Sequence, residues 1–287
     1  MKLTHFTDPK QFQDTITPVL GKNEILHNLI IGISARLVDL PDVHTDPAYM
    51  AVVTDADELC LAALMTPPRD LIFAAVDEPQ EEQVRLIVTD LVKNNWLVPG
   101  VNGALASAEL FARTWEDTTG QTSHLEMAMR LFDLREVIQP RPATGKLRLA
   151  EMRDLDLMID WLMNFEAEAI PDSKARTSIV RKLTAHRIEE GDVFLWTDIE
   201  PVSMSVVVRK TARGAVVGGV YTPPELRGRG YASSCVAGLS QAQLDKGKQY
   251  CALFTDLANP TSNHIYQAIG YKPICDFKHY VFKDLQS

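Results

Sequence analysis

The sequence predicts a mixed α/β (α+β) fold made of two tandem domains, each a mixed, mostly antiparallel sheet flanked by helices. Two observations carry this prediction. Both halves of the 287-residue chain present the same order of patterns, which is a strand, two helices, three strands, a helix, a strand, a helix and closing strands. A proline- and glycine-containing break then separates the halves near residue 140. A chain of this length also suits two domains of ordinary size.

The first half begins with helical patterns and continues with a strand meander. Asp8 and Pro9 suit the start of a helix, since Asp caps free N–H groups and Pro fits the first turn. Acidic residues 55–58 and the Thr-Pro-Pro at residues 66–68 form turns between three apolar runs, which indicates antiparallel strands. We expect helices over 8–20, 23–38, 78–95 and 104–118, and strands over 49–54, 59–65, 70–76, 97–101 and 124–134.

The segment 139–146 is the predicted linker, between a first domain at 1–138 and a second at 147–287. Pro140, Pro142 and Gly145 interrupt regular structure there, and a strand pattern resumes at once. We expect helices over 154–165, 174–190, 231–246 and 259–269, and strands over 147–149, 193–197, 203–209, 215–221, 250–255, 273–277 and 279–282.

Composition and charge restrict the class of protein. The net charge of −9 argues against a general nucleic-acid or membrane-surface binder. The first residues contain no apolar signal core, and no run approaches the ~18 apolar residues of a membrane span. The four cysteines show no CxxC pairing, so neither a metal site nor a disulfide framework is expected. We therefore predict a cytoplasmic protein.

A glycine- and arginine-rich turn follows the strand predicted over 215–221. Its residues Arg227, Gly228, Arg229 and Gly230 precede the helix that starts near Tyr231. A strand, glycine turn and helix start present free backbone N–H groups and a positive helix end to an anion. The glycines permit close approach of the backbone, and the arginines add charge. The pattern predicts a phosphate-bearing ligand.

The equivalent position in the first half has the opposite charge. Residues 76–82 read Val-Asp-Glu-Pro-Gln-Glu-Glu, without glycine or a basic residue. Carboxylates repel phosphate groups. The first half is therefore not expected to bind the same ligand in the same way.

Two motifs together resemble the GCN5-related N-acetyltransferase (GNAT) family. The run from Arg227 to Ala232 fits the pattern Arg/Gln-x-x-Gly-x-Gly/Ala. Downstream, Asn259 to Tyr271 fits Asn-x-x-Ser/Ala followed by Tyr-x-x-x-Gly-Phe/Tyr. The resemblance covers about residues 146–283. By layout alone, the first half is similar to the degenerate copy found in tandem members of the family.

The resemblance implies that acetyl-CoA is the cofactor and that no metal is needed. Turn residues would bind its pyrophosphate, the end of the preceding strand its pantetheine arm, and the Asn259 block the pantetheine or its linkage. Tyr266 would also protonate the departing thiolate, since a phenol of pKa ~10 can donate to a thiolate of pKa ~8.5. The implied cofactor-binding residues are Val220, Tyr221, Thr222, Leu226, Arg227, Gly228, Arg229, Gly230, Tyr231, Ala232, Asn259, Ser262 and Tyr266.

The implied reaction is direct attack of a primary amine on the thioester, with a strand N–H stabilising the oxyanion. Some members of the family carry a glutamate in the strand before the glycine turn, but residues 214–221 contain no carboxylate. The general base therefore stays open among bound water, Glu166, Glu168 and Asp198. No covalent intermediate is needed, so Cys235 is interpreted as a packing residue.

Alternatives remain at the level of the residues and of the whole protein. Tyr266 could be a packing residue, and Asn259 could serve only as a helix cap. The main interpretation is an N-acetyltransferase acting on a small-molecule or peptide amine, whose first half shapes the acceptor cleft. The rival is a non-catalytic CoA-binding or sensing protein. A nucleotide enzyme is disfavoured, because neither GxGxxG at the first strand–helix turn nor GxxxxGK[ST] is present. An exposed edge strand at 280–282 would allow a homodimer.

Overall fold

A computed structural model describes residues 1–44, 46–169 and 177–284. These residues divide into two packing units, one within 1–131, 256–258 and 274–284, and one within 132–255 and 259–273. The units differ from the predicted sequence ranges because the C-terminal strand packs with the first unit. The predicted domains, 1–138 and 147–287, are two copies of a duplicated sequence. The division into packing units does not test that duplication. The start of the helix predicted over 174–190 lies outside the described residues.

The first unit contains the predicted meander. Asp8 caps the first helix by accepting a hydrogen bond from the N–H of Lys10 at 2.8 Å, and Pro9 occupies the first helical position. Neighbouring strands run antiparallel along β1 (Lys2–His5), β2 (Tyr49–Asp55), β3 (Glu58–Met65) and β4 (Leu71–Ala75). β4 and β5 (Gly100–Ala104) are parallel, and β5 and β12 (Lys272–Lys283) are antiparallel. The elements are β1 Lys2–His5, α1 Pro9–Leu20, α2 Asn28–Asp39, β2 Tyr49–Asp55, β3 Glu58–Met65, β4 Leu71–Ala75, α3 Glu81–Lys93, β5 Gly100–Ala104, α4 Leu105–Thr119 and β6 Thr122–Leu134.

The core of the first unit lies on both faces of this sheet. Successive strand residues point to opposite faces, so Tyr49 and Ala51 of β2 contact a cluster containing Phe111 and Trp115 of α4. Met50 of β2 belongs to the opposite cluster, which is built on α1 and α2. Helices therefore cover both faces of the sheet, as the fold class predicts.

The second unit repeats this layout. Its strands follow the order β7-β8-β9-β10-β11, antiparallel except for the parallel pair β10 and β11. One core cluster packs beneath α7 and α8, and the other beneath α5 and α6. The remaining elements are β7 Lys146–Leu149, α5 Leu155–Ala169, α6 Thr177–Glu189, β8 Val193–Asp198, β9 Glu200–Lys210, β10 Gly214–Tyr221, α7 Tyr231–Asp245, β11 Tyr250–Asp256, α8 Pro260–Ile269 and β12 Lys272–Lys283.

Two sequence-based expectations for the C-terminal strand are wrong. The two closing strands predicted over 273–277 and 279–282 form the single strand β12. Its residues 277–281 pair with β5, with Tyr280 opposite Val101, so residues 280–282 are not an exposed edge strand. Pairing along this length keeps the backbone extended where the sequence indicates a break. The homodimer that rested on this edge stays untested.

No helix in the described part of the chain is both long enough and apolar enough to cross a membrane.

Candidate functional site

The strand that leads into the glycine turn leaves its parallel neighbour. β10 pairs with β11 from Gly214 to Val217, and the register ends there although both strands continue. On its other side, the register of β10 with β9 shifts between Gly218 and Tyr221, and Gly219 has a φ of +54°. Such a bulge turns backbone groups out of the ladder. The adjacent glycines Gly218 and Gly219 are the sequence signal for this bulge, and no prediction above rests on them.

The glycine turn has the backbone that the motif requires. Gly228 and Gly230 have φ values of +77° and +80°, a region that L side chains rarely adopt. Gly230 is the N-cap residue of the 15-residue helix α7 and has no side chain with which to cap it. The first N–H groups of α7, including those of Tyr231 and Ala232, therefore keep the positive helix end open to an anion.

Arg227 is held by neighbouring protein groups. Its Nε donates to the carbonyl oxygen of Thr222 at 2.9 Å, and its Nη2 donates to Glu168 Oε2 at 2.7 Å. The guanidinium also lies 5.7 Å from the centroid of the Tyr221 ring. Arg229 Nη2 lies 3.5 Å from the carbonyl oxygen of Glu225, which is long for a hydrogen bond. A phosphate role for Arg227 would require it to exchange its bond to Glu168, so that role stays a prediction.

Glu168 and two aromatic residues meet at the end of β10. Tyr221 is 6% exposed, and its ring centroid lies 6.1 Å from that of Trp161 on α5. Burial raises the pKa of Tyr221, and the nearby charge of Glu168 and a hydrogen bond to it raise the pKa further. From the sequence, Glu168 is one of several possible bases, and neither motif includes Trp161. The packing of α5 against β10 brings both residues to this point.

Asp198 is tied to the start of α7. Its Oδ2 accepts hydrogen bonds from Thr144 Oγ1 at 2.6 Å and from the hydroxyl of Tyr231 at 2.8 Å. These two bonds, and then the charge of Arg229, hold the pKa of Asp198 below its usual value. Ala143 also donates its backbone N–H to Ser234 Oγ at 3.2 Å. The predicted linker is therefore bound to the first turns of α7, and Asp198 is a weak base.

The second motif block forms the start and inner face of α8, which packs against α7. Asn259 is the N-cap residue, and its side chain accepts a hydrogen bond from the N–H of Ser262 at 3.0 Å. Tyr266 is partly buried, with its ring centroid 6.0 Å from that of Tyr271. Burial raises the pKa of Tyr266 to about 12, so its phenol keeps its proton at neutral pH.

The described residues contain no group of three or more His, Cys, Asp or Glu side chains that could hold a metal ion. All four cysteines are thiols without a disulfide partner. Cys235 lies inside α7 with no exposed surface, and burial raises its pKa to about 12. A thiol with such a pKa is a poor nucleophile at neutral pH, as its interpretation as a packing residue requires.

Several solved structures with this fold carry acetyltransferase names. Residues 204–281 match the family model described as FR47-like protein. A GNAT-family acetyltransferase from Colwellia psychrerythraea has a TM-score of 0.60 and 14% identity, covering 99% of this chain and 100% of its own. A GCN5-related N-acetyltransferase from Sphaerobacter thermophilus has a TM-score of 0.67 and 13% identity, covering 99% and 96%. No curated protein sequence matches the chain significantly.

A tandem GNAT protein from the clavulanic acid biosynthesis pathway is also similar along its whole length. Its TM-score is 0.59 at 11% identity, with 98% of each chain covered. At identities this low, the likeness of the solved structures concerns the fold.

Proposed function

Because the chain has the tandem fold of the GCN5-related N-acetyltransferases, we propose that its second unit transfers an acetyl group from acetyl-CoA to a primary amine. One observation carries the proposal. The uncapped start of α7 follows a strand that has left its parallel neighbour, so an anion site and an open strand backbone occur next to each other in the chain. A thioester linked to a pyrophosphate by a long arm needs both features.

The proposed cofactor contacts follow from this arrangement. The N–H groups from Gly228 to Ala232 would bind the pyrophosphate, with Arg229 and Leu226 at the edge of the turn. The backbone of Val220, Tyr221 and Thr222, beyond the bulge, would hydrogen-bond the pantetheine arm. Asn259 caps α8, and that function is compatible with a pantetheine contact from Ser262.

The proposed chemistry is direct acyl transfer. The amine attacks the thioester carbon, a backbone N–H of β10 stabilises the oxyanion, and the C–S bond of the tetrahedral intermediate breaks. Tyr266, whose phenol is protonated at neutral pH, would donate its proton to the departing thiolate. The reaction needs neither a metal nor a covalent enzyme intermediate.

The attacking amine must lose a proton, and Glu168 is the carboxylate that the geometry favours for this step. Asp198 accepts two hydrogen bonds that lower its pKa, which makes it a weaker base. Glu168 lies beside Tyr221 at the end of the strand, and its bond to Arg227 is exposed enough for exchange. If a phosphate oxygen took the place of Glu168 as the partner of Arg227, the Glu168 carboxylate would be available to accept the proton of the amine.

The acceptor is proposed to be a small-molecule or peptide amine. The net charge of −9 supports no nucleic-acid or membrane partner. A non-catalytic CoA-binding or sensing role is the second candidate, since β10 lacks a carboxylate and Arg227 is paired with Glu168.

The test is release of free thiol from acetyl-CoA across a panel of amines, amino acids and peptides. Tyr266→Phe should lower kcat by about 10²-fold or more while leaving acetyl-CoA affinity within about twofold. Tyr271→Phe is the matched control: it removes a buried hydroxyl that bonds Ser240 Oγ at 2.8 Å and should leave turnover unchanged. Binding of acetyl-CoA without turnover on any amine would support the sensing role instead.

A further inference from the structure

The first unit contains a cavity of about 210 Å³ at the end of its own parallel strand pair. The pairing of β4 with β5 ends at Phe73 and Gly103, and β4 continues to Ala75 without that neighbour. The cavity lies beside the end of β4 that no longer pairs with β5, where Ala74 and Ala75 line it. It is thus the counterpart of the site proposed in the second unit.

The wall of the cavity is largely apolar. Leu29 and Ile30 of α2 line one part of it, and Phe73 of β4 and Phe277 of β12 line others. A cavity of this size compares with the roughly 150 Å³ apolar cavity that holds benzene in a small protein. The cavity therefore has room for about seven to ten non-hydrogen atoms.

The polar groups of the cavity favour a positively charged hydrogen-bond donor. Asp77 and Glu78 line its exposed end. Asn102 also lines it, and in the described part of the chain its buried Oδ1 has no hydrogen-bond partner. Burial lowers the pKa of His27, another lining residue, to about 4, so this imidazole carries no charge at neutral pH. No lysine or arginine is among the described residues that line the cavity.

We propose that this cavity binds a small primary amine with an apolar tail, the ammonium group lying at Asp77 and Glu78 and the tail between Ile30 and Phe277. The two carboxylates supply a favourable interaction with a cation and oppose phosphates and carboxylates. Asn102 Oδ1 is a further hydrogen-bond acceptor in the wall of the same cavity. The site is separate from the acetyl-CoA site and does not depend on turnover.

The test is calorimetric titration of the full chain at pH 7 with n-hexylamine, n-hexanol and hexanoate. These probes share a six-carbon tail and differ in charge, and the amine is protonated at this pH. We expect hexylamine to bind with a Kd on the order of 1 mM or tighter. Hexanol should bind more weakly and hexanoate weakest. Equal affinity for hexanoate and hexylamine, or no heat from hexylamine, would overturn the proposal.

Two matched double variants locate the binding. Asp77→Asn with Glu78→Gln neutralises the exposed end and should weaken hexylamine by about tenfold or more while leaving hexanol within about twofold. Asp57→Asn with Glu58→Gln makes the same change in net charge at exposed residues that do not line the cavity. This control should bind hexylamine as the unmodified chain does. Unchanged binding in the first variant would place the amine elsewhere, for example in the acceptor cleft of the second unit, and would refute the cavity.

Discussion

The two units use the same strand–turn–helix geometry with opposite chemistry at the start of the helix. In the first unit, Gln80 and Gln83 form a capping box at the start of α3, with the Gln80 N–H donating to Gln83 Oε1 at 3.1 Å. Glu81 and Glu82 occupy the first turn. In the second unit, Gly230 begins α7 without a side chain and no acidic residue lies in the first turn.

The difference bears on the proposed anion site, because a helix start can bind an anion only where its N–H groups have no other partner. At α3, Glu81 and Glu82 place negative charge at the positive end of the helix dipole, and Gln83 accepts the N–H of Gln80. At α7 the same groups have no side-chain cap, and two left-handed glycines clear the approach. The first unit thus gains helix stability at the position that corresponds to the proposed ligand site of the second unit.

Converting the second turn to the chemistry of the first should give the largest effect. Gly228→Asp places a carboxylate in the turn, and we expect acetyl-CoA affinity to fall about 100-fold or more through repulsion and the cost of a left-handed aspartate. Gly247→Asp is the matched control, because Gly247 is also left-handed, and neither glycine has an atom within 4 Å of an added Cβ. Calorimetry with acetyl-CoA measures both. A similar loss in the two variants would mean that backbone strain, and not charge at the turn, causes the effect.

Lowering the pH should destabilise the first unit more than the second. The pKa of His27 is about 4 in the folded first unit and near its ordinary value of 6.5 when unfolded. Between these values the unfolded chain binds more protons, so the free energy of unfolding falls as the pH is lowered, by about 2 kcal/mol at pH 5. Amide hydrogen exchange in β2–β4, compared with β8–β10, measures the loss.

The control for this acid effect is His27→Gln, which should abolish the His27 contribution. Asp77 and Glu78 line the same cavity, so the experiment is repeated in Asp77→Asn with Glu78→Gln. Persistence of the full pH slope in His27→Gln would assign the acid sensitivity to other groups.

A smaller effect on turnover is expected when Glu168, the carboxylate beside Tyr221, is replaced. Glu168→Gln should lower kcat/KM about tenfold, below the 10²–10⁴ typical of general acid–base catalysis because water can accept the proton in its place. Asp245→Asn, an exposed change at the other end of α7, should have no effect. Steady-state kinetics with a fixed amine measures both. An unchanged kcat/KM in Glu168→Gln would leave bound water or Glu166 as the base.

Local patterns in the sequence predicted much of the fold. The meander from Tyr49 to Ala75, the cap at Asp8 and the helix after Gly230 are confirmed, because turn residues and apolar periodicity act over a few positions. β5 begins at Gly100, three residues after its predicted start, and Leu97 is 88% exposed. The residue range of β1 and the course of β12 were not predicted, because each depends on a partner distant in the sequence.

The sequence predicted where the candidate site lies along the chain, but it predicted few of the contacts between its side chains. The two motifs predicted where the glycine turn and the partly buried Tyr266 would lie on the secondary structure. The bonds of Arg227 to Glu168 and of Asp198 to Tyr231 join residues that are far apart in the chain, and no local pattern records them. The individual cofactor and catalytic roles stay predictions until ligand binding and turnover are measured.

The partnership of β12 with β5 has a consequence for how the protein is synthesised. During translation, β5 emerges more than 160 residues before Lys272, the first residue of the strand that completes its sheet edge. Until then its unpaired backbone is open to non-native pairing. A fragment ending at residue 138 would keep that edge permanently, whereas deletion of residues 1–140 would leave β12 without β5. A fragment made to test the first half should therefore include residues 272–284, so that β5 keeps its partner strand.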